Sequence, residues 1–252
     1  MPGRCRESPG KPFATPRATV QTHAMKPVTL ATERLVLRPF EPSDAPAVHA
    51  ACQEPDIPRW TSVPSPYGIE DAEHFVGTVV PEGWRDDTTY DFAVVSRADG
   101  SLVGAMGLVR LDRLHTPERQ AELGYWTAKE HRGRGCTVEA ARAVVRWGFD
   151  DLGVERLEWH AEAGNEGSRA VARKLGFHME GTLRAKTVHG GTRRDVWIGS
   201  LLPSDLSDLS GEPGEPGESG ESGESGESGK RAPAGRTGTR RPDTTPYLPY
   251  PG

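Results

Sequence analysis

The sequence predicts a mixed-sheet α/β domain over residues 26–203. Two observations carry the prediction: apolar periods of two and of about 3.6 alternate along this stretch, and a strand runs through a glycine-rich turn into a helix around Gly133. A third sets the boundary, because after Pro203 the chain passes into Gly-Glu-x triplets with almost no apolar side chains.

The elements follow in order. ERLVLRPF reads as a short strand limited by Pro39, and SDAPAVHAACQ as a helix with Ser43 or Asp44 as its N-cap. PDIPRWTSVPSPYG is too rich in proline for a regular element and reads as an ordered loop. IEDAEHFVGTVV resumes a helical period through Ile69, Ala72, Phe75 and Val79. YDFAVVSRADGSLVGAMGLVRLD reads as two strands joined at Ala98-Asp99-Gly100, where Asp-Gly supplies the positive φ angles of a tight hairpin; RQAELGYWTA is a third strand. From Arg134 to Leu152 the pattern is helical, with Val138, Ala141, Val145, Phe149 and Leu152 on one face and Gly153 as the stop. ERLEWHAEA puts Leu157, Trp159 and Ala161 on one side of a strand. Asn165 then caps EGSRAVARKL, and two strands separated by Gly190-Gly191 close the domain.

Composition narrows the function classes. A net charge of -5 with no basic stripe in the central region argues against direct nucleic-acid binding. Cys5, Cys52 and Cys136 are odd in number and far apart, which argues against a disulfide framework or a thiolate metal site and fits a reducing cytoplasm. No apolar run approaches the ~18 to 20 residues of a membrane helix, and the N-terminus lacks the apolar centre of a secretory signal. Residues 1–25 read as a disordered extension, and the onset of the strand pattern shortly after Met25 favours translation from that methionine. Residues 204–252 read as a flexible solvated tail, an acidic triplet block followed by a basic stretch.

The segment AELGYWTAKEHRGRGCTVEAARAVV is the most informative. Gly133 and Gly135 allow a tight bend, so their N–H groups and those of Arg134 and Cys136 converge at the positive end of a helix dipole, a place to hold a diphosphate. A nucleotide P-loop needs Gly-Lys-Ser/Thr here, and the chain has Gly135-Cys136-Thr137; the dinucleotide fingerprint needs a third glycine, and that position is Glu139. Both alternatives fail.

On these residues the chain resembles the GNAT superfamily of acetyltransferases, within it the RimJ/RimL ribosomal-protein N-terminal type. The resemblance runs from residue 33 to 202. The family motif Arg/Gln-x-x-Gly-x-Gly/Ala is met by Glu130-His131-Arg132-Gly133-Arg134-Gly135, with Glu130 departing at the first position and Arg132 offering a replacement positive charge. NEGSRAVARKLGFHMEG is similar to the family's Asn-x-x-Ser, Lys-Leu-Gly-Phe and Glu-Gly run. The resemblance implies a three-layer domain with a mixed, mostly antiparallel sheet of about seven strands and about four helices. It also implies acetyl-coenzyme A as cosubstrate, no metal, and two strands, Glu122–Thr127 and Leu157–Ala161, splayed to bond pantetheine.

Site roles follow from the resemblance. Tyr125, Trp126 and Thr127 on the strand, Arg132 to Thr137 around the turn, namely Gly133, Arg134, Gly135 and Cys136 between them, and Asn165 and Arg173 beyond it are carried over as coenzyme-binding. Ser168 stands where relatives place a proton donor to the leaving thiolate; the tyrosine many members use one turn on is Ala172 here. Asn165 and Ser168 also read as an ordinary cap and first helical turn. Glu122 is the first candidate for general base through water, against the plainer reading of an outward strand charge. Glu180 and Asp195 are weaker candidates, more readily structural, and His160 and His189 have no partner at a recognisable spacing. Trp60, Pro66, Tyr67 and Glu180 are assigned to the acceptor side.

The expected activity is acetyl transfer to a primary amine, a protein N-terminal α-amine or a small molecule, by direct attack. A catalytically degenerate acyl-coenzyme A sensor is the alternative that Glu130 and Ala172 keep open. The expected partners are acetyl-coenzyme A and the amine, without nucleic acid or membrane, and homodimerisation stays open.

Overall fold

The computed structural model describes residues 25–209, so Cys5 and the expectations for residues 1–24 and 210–252 lie outside the described residues. The sheet has eight strands in the order β1-β2-β3-β4-β5-β6-β8-β7. They are β1 Leu30–Ala31, β2 Leu35–Arg38, β3 Tyr90–Ser96, β4 Leu102–Val109, β5 Gln120–Thr127, β6 Arg156–Glu162, β7 His178–His189 and β8 Thr192–Leu201. All neighbours are antiparallel except β5 and β6. The helices are α1 Ala45–Cys52, α2 Asp56–Trp60, α3 Ile69–His74, α4 Val80–Arg85, α5 Cys136–Asp150 and α6 Glu166–Lys174. A 3-10 turn at Pro203–Leu209 follows β8. Among the described residues no helix is long and apolar enough to cross a membrane.

The mixed, mostly antiparallel α/β sheet is the one expected, and the additions have physical reasons. β1 has two residues, too few to show a period. α2 forms inside the proline-rich loop because Pro58 occupies its first turn, where a missing N–H costs nothing. Asp44 does precede α1, but its side chain does not cap that helix. Its carboxylate takes two hydrogen bonds from Arg38, at 2.7 and 2.8 Å, and one from the Glu41 amide at 2.8 Å, tying β2 to the entry of α1.

The expected apolar face of the second helical segment is also corrected. Ile69 and Val79 are exposed, whereas Ala72, Val76, Val80 and Trp84 are buried at intervals of four. Phe75–Val79 forms a π-helical turn between α3 and α4, with the Val80 amide donating to Phe75 O, and the wider turn moves the buried stripe round by one position. In the β3–β4 hairpin only Gly100 has a positive φ, +73°. Asp99 instead accepts hydrogen bonds from the Ser101 amide and hydroxyl at 3.1 and 2.7 Å, so the loop is wider than a two-residue turn.

α5 packs on β1, β2, β4 and β5 through a face broader than the expected one: Ala140, Ala141, Val144, Val145 and Trp147 are buried, Val138 and Leu152 only partly. Trp147 meets Trp84 at 5.9 Å, and Trp84 also contacts Tyr90 at 4.8 Å and Phe92 at 5.2 Å between ring centroids. The indole N–H of Trp84 donates to Asp91 O at 3.0 Å, so the ring is buried without an unsatisfied donor.

The connection β5–α5–β6 makes these two strands parallel, since a helical crossover returns the chain in the same direction. They pair only at Gln120↔Arg156, Ala121↔Leu157 and Glu122↔Glu158. β5 continues to Thr127 along β4, and β6 continues to Glu162 along β8, so the strands part and open a wedge in the middle of the sheet.

Two stability outcomes follow. Trp84→Ala should cost about 3–5 kcal/mol in urea unfolding, and a loss below ~1 kcal/mol would contradict the aromatic core as described. Burial works against ionisation of Asp44, but Arg38 and the Glu41 amide outweigh it and hold the carboxyl below its ordinary range. With a folded value below the unfolded ~3.9, its contribution is present above that value and lost as pH falls through the folded one. Asp44→Asn should therefore weaken the fold at neutral pH by about 1–3 kcal/mol and flatten the stability loss measured below pH ~4.

Candidate active site

At the end of β5 the chain makes a 3-10 turn, Lys129–His131, and bends into α5 through Gly133 and Gly135, whose φ angles are +75° and +79°. Both lie in the left-handed region, where a side chain costs roughly 1–2 kcal/mol per residue. Gly135 is the N-cap of α5 and no side chain caps it, so the first amides of that helix keep their hydrogens for an incoming acceptor. Thr127 and Thr137 join their hydroxyls at 2.8 Å and lock the strand end to the first helical turn.

Two ion-pair groups clamp this bend. Arg34 holds Glu139 at 2.6 Å, donates to Arg134 O at 3.0 Å, and is joined on Glu139 by the Thr32 hydroxyl at 2.6 Å. Burial opposes ionisation of Glu139, yet Thr32 and Arg34 outweigh it and hold the carboxyl low. On the other side Arg132 donates to Thr127 O at 3.0 Å, Glu54 at 2.8 Å and Asp56 at 3.0 Å. The guanidinium expected to replace the charge missing at Glu130 is thus already matched by two carboxylates. Arg134 is exposed and Cys136 is buried.

The wedge between β5 and β6 opens into a cavity of about 800 Å³ lined by Leu123–Thr127, Trp159–Ala161 and the start of α6. Asn165 Oδ1 accepts the Ser168 amide at 3.1 Å, so this residue is the helix cap it was read as while also lining the cavity. Ser168 Oγ accepts the Trp159 indole N–H at 2.9 Å and lies 2.9 Å from the Tyr125 hydroxyl, which is also 3.1 Å from Ser168 O. Burial pushes the Tyr125 phenol up to about 12, so it keeps its proton at neutral pH.

Glu122 also lines the cavity. Its Oε2 is 2.8 Å from His160 Nδ1 and 2.7 Å from Arg110 Nε, and His160 Nε2 is 3.7 Å from Glu158 Oε2. His160 therefore has the partner its spacing did not reveal. His189 has one as well, Glu162 at 3.1 Å. Asp91 reaches the same cavity from β3, with its carboxyl pushed up by burial against a weaker hydrogen bond from Thr89.

Other candidates lie elsewhere. Trp60 is on the cavity wall, stacked under Arg59 at 4.0 Å, whereas Tyr67 does not line it and packs on the core, its phenol pushed to about 12 by burial. Glu180 lies away from the cavity: it binds Arg156 at 2.8 Å and accepts the Ser200 hydroxyl at 2.7 Å, and Arg156 holds its carboxyl low. Asp195 accepts the Ala185 amide at 2.7 Å within the β7–β8 irregularity, and Arg173 is exposed on α6 away from the cavity lining. Pro66 follows a cis peptide bond. Sequence reading missed Trp159, Arg110 and Asp91; the alternation of β6 pointed to Trp159 as core and carried no sign of its polar end. Among the described residues no group of three or more His, Cys, Asp or Glu is arranged to hold a metal ion.

A family model described as an acetyltransferase (GNAT) domain matches residues 34–178. Over 175 residues the chain is 31% identical to YdaF of Bacillus subtilis (strain 168), provisionally named a ribosomal N-acetyltransferase, covering 68% of this chain and 92% of that one. It is 28% identical over 160 residues to the spermidine N(1)-acetyltransferase of Escherichia coli (strain K12), covering 63% of this chain and 81% of the other. Among solved structures, a GCN5-related N-acetyltransferase from Brucella melitensis superposes with a TM-score of 0.63 at 25% identity, over 74% of this chain and 83% of that chain.

The glycine bend makes a direct prediction. Replacing both Gly133 and Gly135 by valine should weaken acetyl-coenzyme A binding by ~10-fold or more, about 1.4 kcal/mol, in a protein whose circular dichroism is unchanged. Calorimetric titration showing parental affinity would remove the bend from the coenzyme site.

Proposed function

The chain belongs to the GNAT acetyltransferases and is an acetyl-coenzyme A-dependent N-acetyltransferase; from that premise we propose that its acceptor is a primary amine of low pKa, in first place a protein N-terminal α-amine. The wedge and the uncapped turn suit the coenzyme: the amides after Gly133 face its diphosphate, and the unpaired edges of β5 and β6 its pantetheine arm. The coenzyme supplies the acetyl thioester. Residues 26–203 form the catalytic unit on this reading, working in the cytoplasm.

The observation that carries the reading is the placement of two proton-handling groups on opposite sides of the wedge. Ser168, held by Trp159 and Tyr125, is the donor to the departing sulfur. The Glu122–His160 pair is where the amine's proton goes. Side chains alternate along a strand, so Glu122 and Tyr125 leave opposite faces of β5, and Trp159 and His160 opposite faces of β6. The acyl group then lies between the donor and the acceptor of protons.

Acceptor choice follows from acid–base arithmetic. An α-amine with a reference pKa of ~7.7 to 8.0 is roughly one-seventh neutral at pH 7, whereas a lysine near ~10.4 is neutral about once in 2,500 molecules. The name of the Bacillus subtilis relative supports the same choice. A polyamine is the second reading, favoured by the carboxyls of Asp56, Asp91, Glu122 and Glu166 on the cavity lining and by the spermidine-acetylating relative.

Thiol release with matched peptides separates the two: transfer should require a free N-terminus, and equal rates with an N-blocked peptide refute the α-amine. Faster turnover of spermidine than of either peptide would put the second reading first. Ser168→Ala should lower kcat by about 10²-fold with coenzyme affinity within a few-fold of the parent, measured by the same thiol-release assay and calorimetry.

A further inference from the structure

We propose that His160, not Glu122, takes the proton from the attacking amine, at Nε2, and that Glu122 is the positioning residue that orients the ring. The inference rests on the acetyl-transfer reading and assigns the atom that the reading leaves to a pair.

Glu122 is poorly disposed to act as the base. Its Oε2 is shared by the Arg110 guanidinium at 2.7 Å and the His160 ring at 2.8 Å, and the whole side chain is only 14% exposed. A proton placed on either oxygen of Glu122 would neutralise the carboxylate, weaken both charge-assisted hydrogen bonds and leave a guanidinium facing a neutral acid. Imidazole, in contrast, is the side chain whose ionisation falls closest to neutral pH.

The ring geometry selects the nitrogen. An ionised carboxylate only accepts hydrogen bonds, so Nδ1 carries the hydrogen that meets Glu122, and Nε2 is left with its lone pair. Glu158 Oε2 lies 3.7 Å from Nε2, too far to be its hydrogen-bond partner, so the lone pair stays free. Glu158 pairs with Arg156 at 3.1 Å, and Arg156 also meets Glu180 on β7. The charged groups around the ring are therefore Glu122 from β5, Glu158 from its own strand and Arg110 from the turn after β4, with Asp91 on the same cavity; β8 opposite presents Ile198.

Position completes the case. Glu122↔Glu158 is the last paired step of β5 and β6, and His160 is two residues beyond it, at the mouth of the wedge and on its lining. During transfer the amine nitrogen forms its bond to the acetyl carbon as the carbon–sulfur bond breaks with its electron pair. The nitrogen's surplus proton passes to His160 Nε2 and then to water, and the sulfur is protonated from the Ser168 side.

The test compares parent, His160→Ala, His160→Gln and Glu122→Gln in thiol release with a free-N-terminus hexapeptide and with spermidine, using whichever the parent turns over faster. His160→Ala should lose about 10²-fold in kcat and recover part of it on addition of imidazole to the buffer. His160→Gln, which keeps a donor toward Glu122, should show the same loss without recovery. Glu122→Gln should lose less than His160→Ala and move the acidic limb of its pH profile, while His160→Gln abolishes that limb. A His160→Gln protein with kcat within threefold of the parent, or an unaltered acidic limb, overturns the assignment while leaving acetyl transfer standing. A parent that releases no thiol with either amine instead sinks the reading beneath it.

Discussion

The structure turns on a hydrogen-bond ladder that stops early. β5 and β6 pair over three steps and then part, although both continue as strands against outer neighbours. A sheet normally avoids such a gap, because unpaired main-chain groups away from water are costly. Here the outer pairings, β5 with β4 and β6 with β8, hold the two strands rigid while their inner edges stay open. The gap is consequently a fixed feature able to receive an extended ligand strand-wise, and every residue in the proposed chemistry is placed relative to it. Glu122 marks its closed end, Tyr125 and Trp159 its walls, and Ser168 its helical roof.

The same economy governs the glycine bend before α5. A helix N-terminus attracts anions through amides that lack partners, and nearby acidic side chains would compete for them. Three acidic residues near the bend are occupied, Glu139 by Arg34 and Thr32, Glu54 and Asp56 by Arg132, while Glu130 in the turn itself is exposed. This accounts for Glu139 where a dinucleotide fold has glycine, since its carboxylate is directed to the β1–β2 turn and fastens that turn to α5. It also accounts for Arg132, whose charge cancels the acidic loop of α2 instead of adding to the field of the helix.

Legibility in the sequence divides along the range of the interactions. The strands with period two, the glycine bend, the Asn165 cap and the splay implied by the family resemblance involve neighbours in the chain or a motif of fixed spacing, and the structure contains each of them. Contacts across the sheet were not readable. His160 meets Glu122 over 38 positions, and nothing local in ERLEWHAEA says which residue of another strand will stand opposite. The face of α4 is displaced for a different reason: a periodic template assumes a uniform turn, and a single π turn at Phe75–Val79 shifts the positions after it, so that Val80 is buried in place of Val79; Ile69, exposed at the start of α3, lies before that turn. Asp99 was misjudged because an aspartate before glycine can either adopt a positive φ or hydrogen-bond forward, and Ser101 supplied the second option.

Local polar accounting also decides where the Ser168 hydroxyl points. Its oxygen has two lone pairs and one hydrogen. The indole of Trp159 is a donor only and occupies one lone pair at 2.9 Å. Tyr125 keeps its proton but has only one, and its hydroxyl donates to Ser168 O at 3.1 Å; with that bond made, the serine hydrogen goes to the Tyr125 oxygen at 2.9 Å. When the phenol turns to Oγ instead, both serine acceptor sites are filled and its hydrogen faces the cavity, where a thiolate would be its strongest acceptor. The position on α6 one turn beyond Ser168 is Ala172, which is fully buried. A phenol arriving from β5 reaches the serine from the strand side, so Ser168 is supported without a hydroxyl at position 172.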